Sequence, residues 1–516
     1  MKSLFKTVAL ITIFSFATRI LGFVFRIVLS RTIGAEALGL SQVASSVFMV
    51  LLTIISSGIP FVISRISASF RAEKQGKKAS SFLSVALIFT LLLSLVICLI
   101  VLACQGLFAK LFTDKGQLPL LLVLLPSLVF SAIYCVFRGD LWGQGNYFAL
   151  CITEFYEQVI RIVLSLLVIS SSLSAFDNAM NLGWTMSLAC FFSMLFVIAL
   201  FFFYGGKLSK PQKVYLKPFL AQSAPITLMR VASSFVGPLV ALIIPARLMA
   251  IGYTSSQALA LYGVAMGMTM PLLFIPTTIL GSLSTALVPD ISTAIAQNNH
   301  NHIERRINFS LSFALAISAL FVPLFLGMGE QIGLFLYDNA LSGSLLQAAA
   351  WVLIPLALNG MTSSLLNSLG LENKSFKNFI IGAVAMFLAL WFLPQLLGIN
   401  ALVFGMGINY LISFILNLRL LKKHTKVETK LGKLFLKYLI AIVPAAAMTS
   451  FVVSICEYFM PLFFTLIVGA CIGMTCFITL CCTLNLIDIK AVYVEVKRKF
   501  KVRSSERKPK KKGIKT

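Results

Sequence analysis

Residues 8–30 read VALITIFSFATRILGFVFRIVLS, an apolar run interrupted by two arginines, Arg19 and Arg26, and by no carboxylate. A run of about 20 such residues crosses a bilayer as a helix. An arginine at the bilayer centre costs about 2.5–3.5 kcal/mol on insertion scales, so charge kept there marks a functional site. Seven residues is close to two helical turns, which sets both guanidinium groups on one face about 10 Å apart along the axis. Each presents a rigid fork of donors matched to phosphate oxygens. The pattern points to an anionic cargo handled inside a membrane.

Working outward, the same apolar theme recurs. The 516 residues are 59% hydrophobic and 12% charged, with a mean hydropathy of +0.96. Soluble domains carry about 25% charged residues, so the composition is that of an integral membrane protein. Read in order, the apolar runs predict fourteen transmembrane helices, the first centred on Phe16 and the last on Ile472.

The net charge of +26 suits nucleic acid only until its distribution is traced. Of the 43 lysines and arginines, 35 fall in termini and connections on one side of the predicted spans. Three (Arg31, Lys110, Lys115) fall on the other side, and five (Arg19, Arg26, Arg161, Arg230, Arg247) lie within spans. Under the positive-inside rule this bias puts both termini in the cytoplasm, in a multi-pass protein of the cytoplasmic membrane, with no nucleic-acid partner. The basic start MKSLFK runs into a span with two arginines and no cleavage site, so it reads as a retained helix rather than a signal peptide.

A repeat appears at an offset of 225 residues: Ile66-Ser67 matches Ile291-Ser292, and Gly145 matches Gly370. An even number of spans per repeat implies parallel repeats with a substrate site between them. The expected organisation is therefore an N-lobe at 1–216, a C-lobe at 217–425, two extra helices at 426–488 and a basic cytoplasmic tail at 489–516. That tail suits anionic lipid headgroups. Pro225, Pro238 and Pro245 make the seventh span the expected hinge, and Pro271 and Pro276 mark bends in the eighth.

Within the spans, the acidic residues are Glu154 and Glu157, with Arg161 one turn beyond Glu157. Two readings stand: a structural ion pair, or an ion-coupling site. Arg230 is placed to face a cavity, and Arg247 to snorkel at a helix end. The ten cysteines are scattered apart from Cys481-Cys482 and read as small buried hydrophobes; His300, His302 and His424 lie in polar connections. No metal or cofactor is expected. The chain has no GxxxxGK phosphate loop, no HExxH and no plausible Ser/His/Asp set, so it reads as a non-enzyme driven by an ion gradient, a membrane potential or product removal.

Three stretches carry a resemblance: Arg19-Ile-Leu-Gly-Phe-Val-Phe-Arg26, Ile33-Gly-Ala-Glu-Ala-Leu-Gly-Leu40 and Gly58-Ile-Pro-Phe-Val-Ile-Ser-Arg65. With Glu157-Gln-Val-Ile-Arg161 and Leu287-Val-Pro-Asp-Ile-Ser292, they resemble polysaccharide-type flippases of the multidrug/oligosaccharidyl-lipid/polysaccharide exporter superfamily. Within that group the chain looks most like the stage V sporulation protein B branch, related to lipid II flippases.

The resemblance implies an all-α, V-shaped, alternating-access transporter with two six-helix lobes and two C-terminal helices shaping a lipid-tail groove. Its cargo would be an undecaprenyl-diphosphate-linked sugar for peptidoglycan or another polysaccharide, its setting cell-wall synthesis and sporulation, and its partners membrane lipids and cell-wall enzymes. Arg19 and Arg26 match the cavity arginines of lipid II flippases, with Arg230 opposite. Some relatives use a second-lobe carboxylate for ion coupling, whereas this chain has none between Asp177 and Asp290. A multidrug extruder and a non-transporting cell-wall scaffold are the rival readings.

Overall fold

The apolar runs fold as helices, and the described residues contain no strand. The computed structural model describes residues 2–296, 300–429 and 431–486. The expected basic tail at 489–516 lies outside them. The order begins with α1 (Lys2–Ser56), α2 (Ile59–Ala72), α3 (Gly76–Ala103) and the short α4 (Gln105–Leu111). It continues with α5 (Gln117–Gly143), α6 (Tyr147–Val168), α7 (Ala175–Phe203), α8 (Leu216–Ser234) and α9 (Val236–Ala250). Next come α10 (Ser255–Gly263), a π-helical segment (Val264–Thr269), α11 (Met270–Ala296), α12 (His300–Tyr337), α13 (Ala340–Ala349) and α14 (Leu353–Ser368). The last are α15 (Glu372–Phe392), α16 (Pro394–Leu397), α17 (Asn400–Thr425), α18 (Leu431–Phe459) and α19 (Leu462–Thr483).

Twelve segments among the described residues are long and apolar enough to cross a membrane. The first two expected spans are merged in that count as Ile13–Ala72, because α1 bends at Gly34 without an intervening loop. Gly34 has φ 77 and ψ 177, a conformation open to glycine and strained for an L side chain. The helix α6 is as long as these but less apolar, since it carries Glu154, Glu157 and Arg161. Separating the first two and adding α6 recovers fourteen long helical rods among the described residues.

Proline explains two interruptions. Span seven breaks at Phe235, between α8 and α9, where Pro238 offers no amide to the Ser234 carbonyl. Span eight widens into the π segment just before Pro271. Gly145 and Gly370, the repeat pair, have φ of 76 and 70. Each closes its helix with the same pair of bonds: Gly145 N to Trp142 O with Asn146 N to Leu141 O, and Gly370 N to Asn367 O with Leu371 N to Leu366 O.

The chain forms two compact units, each built from non-contiguous segments. The first comprises Met1–Leu273, Leu336–Leu345 and Phe376–Ser413. Its centre is α5, which packs on α1, α2, α3 and α7 and buries Leu120, Leu121, Leu128 and Leu141 completely. The second comprises, among the described residues, those within 274–335, 346–375 and 414–486. There α18 and α19 pack together, and Leu324, Met328 and Val453 form a core with Leu466, Ala470 and Met474 around it.

Candidate functional site

Arg26 lies on the first limb of α1, before the Gly34 bend. Its Nη1 donates to the Met266 carbonyl at 3.4 Å, in the π segment. Tyr337 and Arg161 lie within electrostatic reach of the guanidinium. The Tyr337 hydroxyl is buried and has no hydrogen-bond partner among the described residues. No carboxylate neutralises Arg26: the ion pairs found among the described residues are Arg71–Asp140 and Arg138–Glu154.

The close packing that brings these groups together comes from small residues. A Cβ at Gly39 would collide with the Leu259 carbonyl, and one at Gly263 with the Ala35 carbonyl. Ala35 and Gly39 are four apart, as are Gly263 and Gly267, so one small-residue face on α1 meets another on α10 and the π segment. Two more contacts tie in the end of α12 and the start of α13. Arg31 Nε donates to Leu336 O at 2.8 Å, and Thr269 Oγ1 donates to Ser342 O at 2.9 Å.

The other expected residues are distributed as follows. Arg19 is exposed on the same limb as Arg26, and its side chain makes no hydrogen bond or ion pair with a described residue. The same is true of Arg230, exposed on α8. Arg247 lies over the Trp391 ring at 4.8 Å from its centroid, a cation–π contact rather than a free snorkelling end. In α6 the one-turn pairing of Glu157 with Arg161 is not the ion pair that forms. Arg161 donates to Gln158, whose side chain covers Gly22 on α1, while Glu154 pairs with Arg138 from α5. Glu157 lies half-buried within reach of both Arg161 and Arg138.

Two charged residues of α5 stand out that the apolar pattern does not single out. The helix continues to Gly143 and holds Arg138 inside it. Asp140, on the last turn of α5, is completely buried beneath Ser67 and Arg71. The signal was present in the helix-ending Gly143-Gln144-Gly145, which allows α5 to run on past both residues. Groups of three or more His, Cys, Asp or Glu able to hold a metal are absent among the described residues.

Residues 4–295 match the family described as polysaccharide biosynthesis protein. Stage V sporulation protein B of Bacillus subtilis (strain 168) is 28% identical over 388 residues, covering 71% of this chain and 73% of that protein. Sporulation protein YkvU of the same organism is 23% identical over 321 residues, covering 60% and 70%. Among solved structures, the lipid II flippase MurJ in an inward closed conformation matches with a TM-score of 0.69 at 16% identity, over 92% of this chain and 98% of that one. An inward-facing multidrug resistance MATE transporter of the MOP superfamily matches with a TM-score of 0.67 at 17% identity, over 79% and 94%.

Proposed function

The chain belongs to the polysaccharide biosynthesis protein family and has the fold of MOP-superfamily transporters, and from that premise we propose that it is a flippase for undecaprenyl-diphosphate-linked sugars. The cargo is a peptidoglycan precursor or a related polysaccharide unit, moved from the inner to the outer leaflet of the cytoplasmic membrane by alternating access. The observation that carries this reading is Arg26, an intramembrane guanidinium whose hydrogen-bond partner is a neutral carbonyl and which no carboxylate neutralises. A diphosphate cannot cross hydrocarbon unaided, whereas its polyprenyl tail stays in lipid. A cationic site with access from the bilayer serves both needs.

In this reading Arg26 receives the diphosphate with Arg19, and Arg230 contributes a further contact. Ion coupling falls to Glu157 in this reading, with Glu154 and Arg161 holding α6 in place; the pairing of Glu154 with Arg138 and the bond of Arg161 to Gln158 support it. Both termini face the cytoplasm, and the chain acts as a transporter rather than an enzyme. Enzymes that polymerise the delivered sugar on the outer face are its functional partners.

The MATE match supports a second reading, a multidrug extruder. The arginines within the spans oppose it, since they repel cationic drugs.

Fluorescent lipid II in proteoliposomes tests the proposal. The wild-type protein is expected to move it, and Arg19→Ala/Arg26→Ala to lose at least tenfold in rate. Arg26→Lys should also be impaired, because the bidentate fork is lost. Wild-type rates in the double variant, at equal insertion, would sink the assignment. No movement by the folded wild type, with a gradient and potential imposed, would redirect it to another lipid-linked glycan or to a scaffold.

A further inference from the structure

The Met266 carbonyl has lost both of its helical donors. In an α-helix it would accept from the Met270 amide, but that amide bonds one residue further back, to the Ala265 carbonyl. In the π register it would accept from residue 271, which is proline and has no amide. An unpaired carbonyl within a membrane-spanning helix must find another donor. Arg26 supplies it, reaching from α1 at 3.4 Å.

We propose that the Met266 carbonyl is a built-in competitor for the cargo's diphosphate, holding Arg26 until an anionic headgroup displaces it. This rests on the flippase reading above. A single long bond from the guanidinium to a neutral carbonyl is weaker than the bonds it makes to an anionic phosphate, which run at about 2.7–2.9 Å and can be bidentate. An arriving diphosphate therefore wins the guanidinium, while a weakly held or singly charged headgroup does not. The unpartnered, buried Tyr337 hydroxyl beside Arg26 offers the incoming anion a second donor. Once Arg26 leaves, the Met266 carbonyl is satisfied if the Met270 amide returns to it, so cargo binding resets the register of the turn. That turn adjoins the Gly39–Gly263 contact between α1 and α10. Arg26 is thus both a ligand for the cargo and a sensor of its arrival, and Pro271 positions it without touching the cargo.

Pro271→Ala restores an amide at the position that lacks one. Two measurements on the full chain in nanodiscs decide the matter. The first is a thermal-denaturation cycle with Arg26→Ala, Pro271→Ala and the double variant. Arg26→Ala should lower the melting temperature in the wild-type background and have little effect beside Pro271→Ala; additive shifts would overturn the contact, whatever the cargo is. The second is binding of undecaprenyl diphosphate, with undecaprenyl monophosphate for comparison. Pro271→Ala should bind the diphosphate about fivefold to tenfold more tightly, because the competing state is removed. It should also discriminate less against the monophosphate.

Unchanged affinity in Pro271→Ala, with binding still lost in Arg26→Ala, would overturn the competition while leaving the flippase reading intact. Failure of the wild type to bind either lipid would overturn both. Should Pro271→Ala not fold, Pro271→Leu restores the same amide.

Discussion

Asp140 shows how this chain handles a buried charge. The carboxylate accepts from Ser67 Oγ, from Arg71 Nη2 at 2.7 Å and from Gln144 Nε2 at 2.8 Å. Removing one member of such a cluster leaves the others desolvated and unpaired. Asp140→Ala should therefore cost about 3 kcal/mol, the lower end of the range for buried pairs, because Arg71 keeps partial access to solvent. A clear fall in the melting temperature of the detergent-solubilised protein checks this, and Asp140→Asn should fall less because two of the three hydrogen bonds survive. The sequence marked Ser67 as a landmark of a repeat without showing that it donates to a buried carboxylate. Arg19 and Arg26 were readable because uncompensated charge in an apolar run is a local property. The Asp140 cluster was not, since Ser67 and Arg71 come from another helix.

Glycines at the α1–α10 contact fix how closely two backbones approach. Gly39→Ala or Gly263→Ala places a methyl against a backbone carbonyl that has no rotamer to change. Overpacking of this kind costs about 1–3 kcal/mol. Thermal melting should register it for both variants, with Gly237→Ala, which meets open space, unchanged in comparison. The prolines of span seven announced a break, and one exists at Phe235. Those of span eight announced a bend and produced a π turn instead. Proline predicts only a missing amide; whether the chain kinks or widens depends on which neighbour takes the orphaned carbonyl, and here that neighbour is 240 positions away in sequence.

The fourteen-rod architecture was readable because apolar length is dictated by the bilayer itself, although the three charges of α6 make it less apolar than the rest. The composition of the two compact units was not, because each gathers segments from distant parts of the chain. The charge bias makes a further prediction about orientation. In a cysteine-free background, an impermeant maleimide applied to intact cells should label Ser172→Cys, between α6 and α7. Lys207→Cys, between α7 and α8, should label only after permeabilisation. The reverse pattern would invert the assigned topology.

The Arg138–Glu154 pair also bears on how the protein is made. Leaving an insertion machinery alone, α6 would enter lipid with Glu154, Glu157 and Arg161, and a charge at mid-membrane costs about 2.5–3.5 kcal/mol on insertion scales. Its partner α5 emerges from the ribosome first, joined to it by only Gln144, Gly145 and Asn146, and carries Arg138 on the turn that meets Glu154. The two helices are thus suited to leave the machinery as a hairpin, with α5 waiting at the exit until α6 arrives to neutralise it. An ion pair of the finished protein thereby also favours joint release of the two helices during synthesis.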